Sequence, residues 1–181
     1  MRREEFEVKN IPISFLDLEM TGLEGHRHEI VEIGLVKASQ PDLKILETWE
    51  IKVRPEKLSE ADPIALKISG YDKEKWKDAV SLKEAMEALS FKISGTILAG
   101  WNVPVDYSFL DAAVTRTGIR LDFHKHVLDV NSFAAGKLGL DKGFSGQTRI
   151  SKILGVKVET EHSALPDALV CYEIYKKLAL G

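Results

Sequence analysis

The stretch NIPISFLDLEMTGL, residues 10–23, decides the fold. Apolar residues fill both alternating sets, with Ile13 and Phe15 on one side and Leu16 and Leu18 on the other. That is the pattern of a central strand covered on both faces. Asp17 and Glu19 break it. Side chains alternate along a strand, so the two carboxylates point the same way, about 6–7 Å apart along the chain. Charge left uncompensated there is costly, and the pair therefore predicts a cation nearby. Acidic residues two apart also occur at Glu5/Glu7, Glu60/Asp62, Asp72/Glu74 and Glu159/Glu161, but in polar segments. On the first pair alone, a structural ion pair with Lys or Arg, or a strand end emerging into solvent, is the commoner explanation.

Working outward, EIVEIGLVKA (29–38) reads as a second strand, reached through the short connection TGLEGHRH (21–28). In ILETWEIKVRP (45–55), Trp49, Ile51 and Val53 alternate with Glu50 and Lys52, as in a half-exposed antiparallel strand ended by Pro55. The period then changes. DAVSLKEAMEALSFKIS (78–94) carries Leu82, Ala85, Met86 and Leu89 at helical spacing, with Ser81 as N-cap and Gly95 beyond the end. TILAGW (96–101) is a short apolar strand, and VPVDYSFLDAAVTRTG (103–118) is a helix opened by Pro104 and closed by Gly118. HVLDV (126–130) reads as a last short strand. Two helices follow, in SGQTRISKILG (145–155) and SALPDALVCYEIYKKLAL (163–180), the second with Leu165, Ala168, Leu169, Tyr172 and Tyr175 on one stripe. The least regular segment, 55–78, is a surface connection or a loop flanking a groove. This order predicts a mixed α/β layer fold.

At 181 residues the chain suits one hydrophobic core, and no repeat or linker divides it, so a single domain over 1–181 is expected. The 44% hydrophobic and 29% charged residues are ordinary for a folded protein and exclude disordered or fibrous classes. No apolar run is long enough to span a membrane and no leader is evident, which predicts an intracellular, cytoplasmic protein. Cys171 is the only cysteine, which excludes an internal disulfide and a cysteine metal cluster; its apolar surroundings make it a buried structural thiol. A net charge of −3 excludes the basic excess that drives tight binding to long duplexes.

Further acids sit at helix starts. With Asn102 as N-cap and Pro104 in the first turn, Asp106 falls near the positive end of a helix dipole, just past the strand TILAGW. Ser163 and Pro166 place Asp167 likewise, with His162 just outside. Each alone is more often structural. Together, Asp17, Glu19, Asp106 and Asp167 form a set of hard oxygen donors suited to Mg²⁺ or Mn²⁺ and not to zinc. Two such ions polarise a phosphoryl group and stabilise the leaving oxygen of an in-line displacement, and a neutral His beside them can accept a water's proton.

FLDLEMTGL, GWNVPVDYSFL and HSALPDA resemble, in order, the three motifs of the DEDDh 3′-to-5′ exonucleases, the family of proofreading exonucleases, ribonuclease T and oligoribonuclease. The resemblance spans residues 15–168 and is specific jointly, not motif by motif. It implies a ribonuclease-H-like fold, with a three-strand antiparallel meander plus two parallel strands flanked by helices. It implies two divalent cations, Mg²⁺ or Mn²⁺, on Asp17, Glu19, Asp106 and Asp167, with His162 as general base and 5′ mononucleotides released from single-stranded DNA or RNA 3′ ends. Thr21, Gly22 and Leu23 would lie beside the terminal nucleotide, Thr21 near its 3′ hydroxyl and Leu23 against a base.

DLEMTGL is particularly like oligoribonuclease, but Asp106 comes four residues after Asn102 and is followed by Tyr107, nearer the proofreading type. With no polymerase domain in the sequence, a free-standing nuclease or a subunit beside a polymerase or other protein is expected. Two alternatives stay open: a non-catalytic nucleic-acid- or partner-binding module on the same fold, and a small-nucleotide phosphodiesterase or phosphatase. His26, His28, His124 and His126 read as solvated loop residues. Asp129 reads equally as an extra acid near the site or as the cap of a helix beginning around Asn131, and stays outside the catalytic set. Lys142, Arg149 and Lys152 read as solvent-facing charge, and Trp101 as core.

Overall fold

The computed structural model describes residues 8–139, 141, 145–158 and 163–181. Strand β1 (Ile13–Met20) lies at the centre of a five-stranded sheet ordered β3-β2-β1-β4-β5. β2 (Ile30–Ala38) pairs antiparallel with β1, and β3 (Ile45–Lys52) antiparallel with β2. β4 (Ile97–Gly100) and β5 (Leu128–Asp129) add in parallel on the other side. This is the expected meander plus two parallel strands.

The double apolar pattern of β1 is used on both faces. Ile13 and Phe15 join Val36 and Ala38 against α4 (Val130–Leu138), α5 (Gln147–Leu154) and α6 (Ala164–Leu180). Leu16 and Leu18 join Ile33, Leu35 and Leu98 against α2 (Leu82–Ile93) and α3 (Pro104–Thr117). Each of the Val, Leu, Ile and Phe side chains among these, withdrawn from water, stabilises the fold by about 1.5–3 kcal/mol. Asp17 and Glu19 share the parity of Ile13 and Phe15, so they face α6.

Local signals explain most boundaries. Ser81 and Glu84 form a reciprocal capping box at the start of α2, and Gly118 ends α3 in the left-handed conformation, φ 73°. The segment expected to be irregular contains a 3-10 turn at Leu58–Glu60 and a short helix, α1 (Pro63–Ile68), capped by Asp62. It is fastened to the sheet because Trp76 is buried and its indole N–H donates to the Val31 carbonyl at 2.8 Å. On α6 the buried stripe is Ala164, Ala168, Cys171, Tyr172, Ile174 and Leu178, whereas the expected Leu165, Leu169 and Tyr175 lie at its half-buried margins. The helix meets β1 and β2 together, which widens and rotates the covered face. Cys171 is buried as expected, and Trp101 packs at the edge of the same core. Among the described residues, no helix is long and apolar enough to cross a membrane.

Candidate metal centre

β1 delivers Asp17 and Glu19 to its C-terminal end, where pairing with β2 becomes irregular between Glu19 and Met20. α6 brings Asp167 across from above. The three carboxylates each place an oxygen within 4.8 Å of the others, a spacing from which one cation can be held. Asp106, buried in the first turn of α3, stands beside this group. Its carboxylate accepts the Leu18 backbone N–H, which ties α3 to the strand between the two β1 acids.

Burial, with the repulsion of like charges added to it, sets the electrostatics. Burial, then repulsion from Asp106, Asp167, Glu19 and Glu32, pushes the Asp17 carboxyl well above the usual carboxylate range. Burial, then Asp167, Glu32 and Asp106, raises Glu19 to about 7, and burial raises Asp106 to about 7 against the Leu18 hydrogen bond. Among the described residues, no lysine or arginine forms an ion pair with Asp17, Glu19 or Asp106. The structural ion pair that the first pair alone suggested is therefore not made among the described residues. The donor set fits a hard divalent cation, whose charge would reverse these shifts.

The approach to α3 differs from the expected Asn cap. Asn102 adopts a left-handed backbone, φ 58°, and Val103 occupies the N-cap position without a side-chain bond. Asn tolerates this conformation, and it turns the chain sharply from β4 into the helix. The Asn102 N–H is held by Asp129 Oδ1 at 3.0 Å, and the same carboxylate caps α4 through Asn131 N and Ser132 Oγ. Of the two readings of Asp129, the structure shows the helix cap.

Thr21, Gly22 and Leu23 continue from β1 beside the acids. Thr21 is buried, its Oγ1 accepting the Glu29 N–H at 2.9 Å and its carbonyl accepting the Asp62 N–H at 2.8 Å. Leu23 is 81% exposed. Between them, a Cβ on Gly22 would come within 2.4–2.5 Å of the His28 ring, so any side chain there would have to displace that ring. His28, expected in solvent, is buried because it fills this space, with Nδ1 accepting the Glu24 N–H at 3.0 Å. His26 and His126 are exposed, His124 is half-buried, and Arg149 and Lys152 face solvent. His162 and Lys142 lie outside the described residues.

Two contributors were not foreseen. Gln147 of α5 donates from Nε2 to the Asp167 carbonyl at 2.7 Å. Glu32 of β2, paired in register with Glu19, is buried and accepts the Ala164 N–H at the start of α6. The signal for Glu32 was present: it is a lone charge in the apolar run IVEIGLV.

A sheet of this order carrying an acidic cluster at the end of its central strand defines the class of ribonuclease-H-like nucleases. The model of the exonuclease family RNase_T matches residues 14–175, and the chain belongs to that family. Curated relatives include a PolC-type DNA polymerase III from Caldanaerobacter subterraneus, 28% identical over 90% of this chain but only 11% of that protein. The chain spans only 11–12% of the PolC-type polymerases it matches. An oligoribonuclease from Corynebacterium diphtheriae is 34% identical over 71% of this chain and 66% of its own length. A ribonuclease T from Buchnera aphidicola is 27% identical over 90% and 81%. Among solved structures, the nuclease domain of 3′hExo, a DEDDh member bound to rAMP, superposes with a TM-score of 0.74 at 21% identity, covering 92% of this chain and 90% of that one. E. coli exonuclease I in complex with dT13 gives 0.77 at 15% identity, over 92% and 40%. These two likenesses show the fold.

Proposed function

We propose that this exonuclease domain removes nucleotides from the 3′ ends of single-stranded DNA or RNA, releasing 5′ mononucleotides, with two divalent cations, Mg²⁺ or Mn²⁺. The observation that carries the reading is the meeting of Asp17, Glu19 and Asp167 within 4.8 Å, with Asp106 beside them. Asp17, Glu19, Asp106 and Asp167 hold the ions. When bound, the ions supply charge stabilisation for the phosphoryl group and the leaving oxygen.

The chain's own residues do the rest. His162, five positions before Asp167 in the sequence, accepts the proton of the attacking water. Thr21 and Gly22 border the terminal nucleotide, and the exposed Leu23 packs against a base. Among proteins of this fold, E. coli exonuclease I forms a complex with a dT13 oligonucleotide and a 3′-exonuclease recognises a histone mRNA stem-loop at its 3′ end, which supports a nucleic-acid 3′ end as substrate. The PolC-type relatives support a polymerase as one protein partner.

The test is incubation of 5′-labelled single-stranded DNA and RNA with Mn²⁺ or Mg²⁺, beside Asp17→Ala. A ladder shortening from the 3′ end, lost in the variant and with chelator, is expected. Cleavage of a free nucleotide with both polymers left intact would instead identify a small-nucleotide phosphodiesterase or phosphatase. Binding of the oligonucleotide without any cleavage would identify a binding module.

A further inference from the structure

Glu32 is a buried carboxylate beside the acidic cluster that serves as an internal hydrogen-bond acceptor. It lies on the same sheet face as Glu19, directly across the β1–β2 ladder. Its Oε2 accepts the Ala164 N–H at 3.3 Å. Lys52 Nζ stands 3.8 Å from its other oxygen. Helix α6 begins at Ala164, and Ser163 in its N-cap position makes no side-chain cap of its own. The first N–H groups of a helix have no partner within it, and leaving one buried and unpaired is costly. Glu32 supplies that partner from a neighbouring strand.

A second contact from β2 fixes the same turn. A Cβ on Gly34 would lie 2.1 Å from the Ala164 carbonyl carbon and 2.3 Å from Leu165 N, so the first turn of α6 rests directly on the strand backbone. Asp167 belongs to that turn, its N–H donating to the Ser163 carbonyl. Gly34 thus sets the height of the helix over the sheet, and Glu32 sets where its end stops.

Resting on the proposed metal-dependent activity, we infer that Glu32 is a positioning residue, which caps α6 from β2 and so holds the Asp167 carboxylate at the distance from Asp17 and Glu19 that a shared cation requires. Glu32 itself is not a metal ligand. Its acceptor oxygen is what the task needs, and its charge is dispensable.

The experiment compares wild type, Glu32→Ala, Glu32→Met and Glu32→Gln in three measurements. These are amide hydrogen exchange across 164–170 without metal, Mn²⁺ affinity, and the kcat and KM for a short oligonucleotide. The methionine variant keeps the volume if alanine fails to fold. Loss of the acceptor is expected to speed exchange in the first turn of α6 about fivefold. It should also weaken Mn²⁺ binding about 10–100-fold and lower kcat with little change in KM. Gln, which retains an acceptor oxygen, restores all three. Wild-type exchange and Mn²⁺ affinity in Ala and Met would overturn the inference. So would a Gln variant that regains slow exchange yet binds Mn²⁺ as poorly as Ala, because Glu32 would then act through its charge. A wild type that binds Mn²⁺ but cleaves nothing would remove the proposed activity alone, leaving the exchange and affinity comparison to decide the role of Glu32.

Discussion

Two strands of the same sheet carry acidic side chains and treat them in opposite ways. On edge strand β3, Glu47 lies between Lys92 and Lys37, and their hydrogen bonds and charge hold its carboxyl below the usual range. On central strand β1, Asp17 and Glu19 form no ion pair with a lysine or arginine among the described residues, and burial together with neighbouring acids pushes both upward. Glu47 is a finished ion pair. The β1 acids form an unfinished one, with the donors gathered and the countercharge to come from outside the chain. Such an arrangement destabilises the metal-free fold, so it persists where function requires it.

The largest contrast is expected from removing one charge on each strand. Asp17→Asn should lower turnover by about 10³-fold or more, while raising the thermal midpoint of the metal-free protein at pH 8. An unchanged rate, or a lowered midpoint, would place Asp17 with Glu47 as an ordinary structural charge.

Next in size is His162→Ala, expected to lose about 10² to 10⁴ in rate and to keep both fold and metal affinity. Near-normal turnover would take His162 out of its role.

A smaller effect follows from proton linkage. Glu19 and Asp106 are raised from 4.5 and 3.8 to about 7 in the folded chain. Between those limits the folded state keeps protons that the unfolded chain has released. Stability of the metal-free protein therefore falls as pH rises from about 4 to about 7, by several kcal/mol, and levels off above. Saturating Mn²⁺ should reverse the trend at pH 8. A metal-free protein that gains stability over this window would contradict the account.

The smallest effect belongs to the edge. Glu47→Gln should cost less than about 1 kcal/mol, because the pair is partly exposed and screened, and should leave turnover untouched.

The fold was legible because β1 fills both alternating sets, and each set found its own helical layer. The site was legible where a charge interrupted an apolar run, as at Asp17 and Glu19. The same signal at Glu32 went unused, since one carboxylate in a strand does not announce which helix end it will meet 132 residues later. The buried His28 was hidden for a related reason: its partner is the missing side chain of Gly22, and a void has no letter in the sequence. Asn102 was read as a cap from its place before Pro104, but its left-handed backbone serves the turn out of β4 instead.

The central claim is that Asp17, Glu19, Asp106 and Asp167 together form one cation site. Calorimetric titration of the metal-free protein with Mn²⁺ at pH 7.5 tests it directly. Two ions per chain are predicted, with binding abolished or reduced to one weak site in Asp17→Asn and unchanged in Glu47→Gln. Binding that survives intact in Asp17→Asn, or no binding to the wild type, would contradict it.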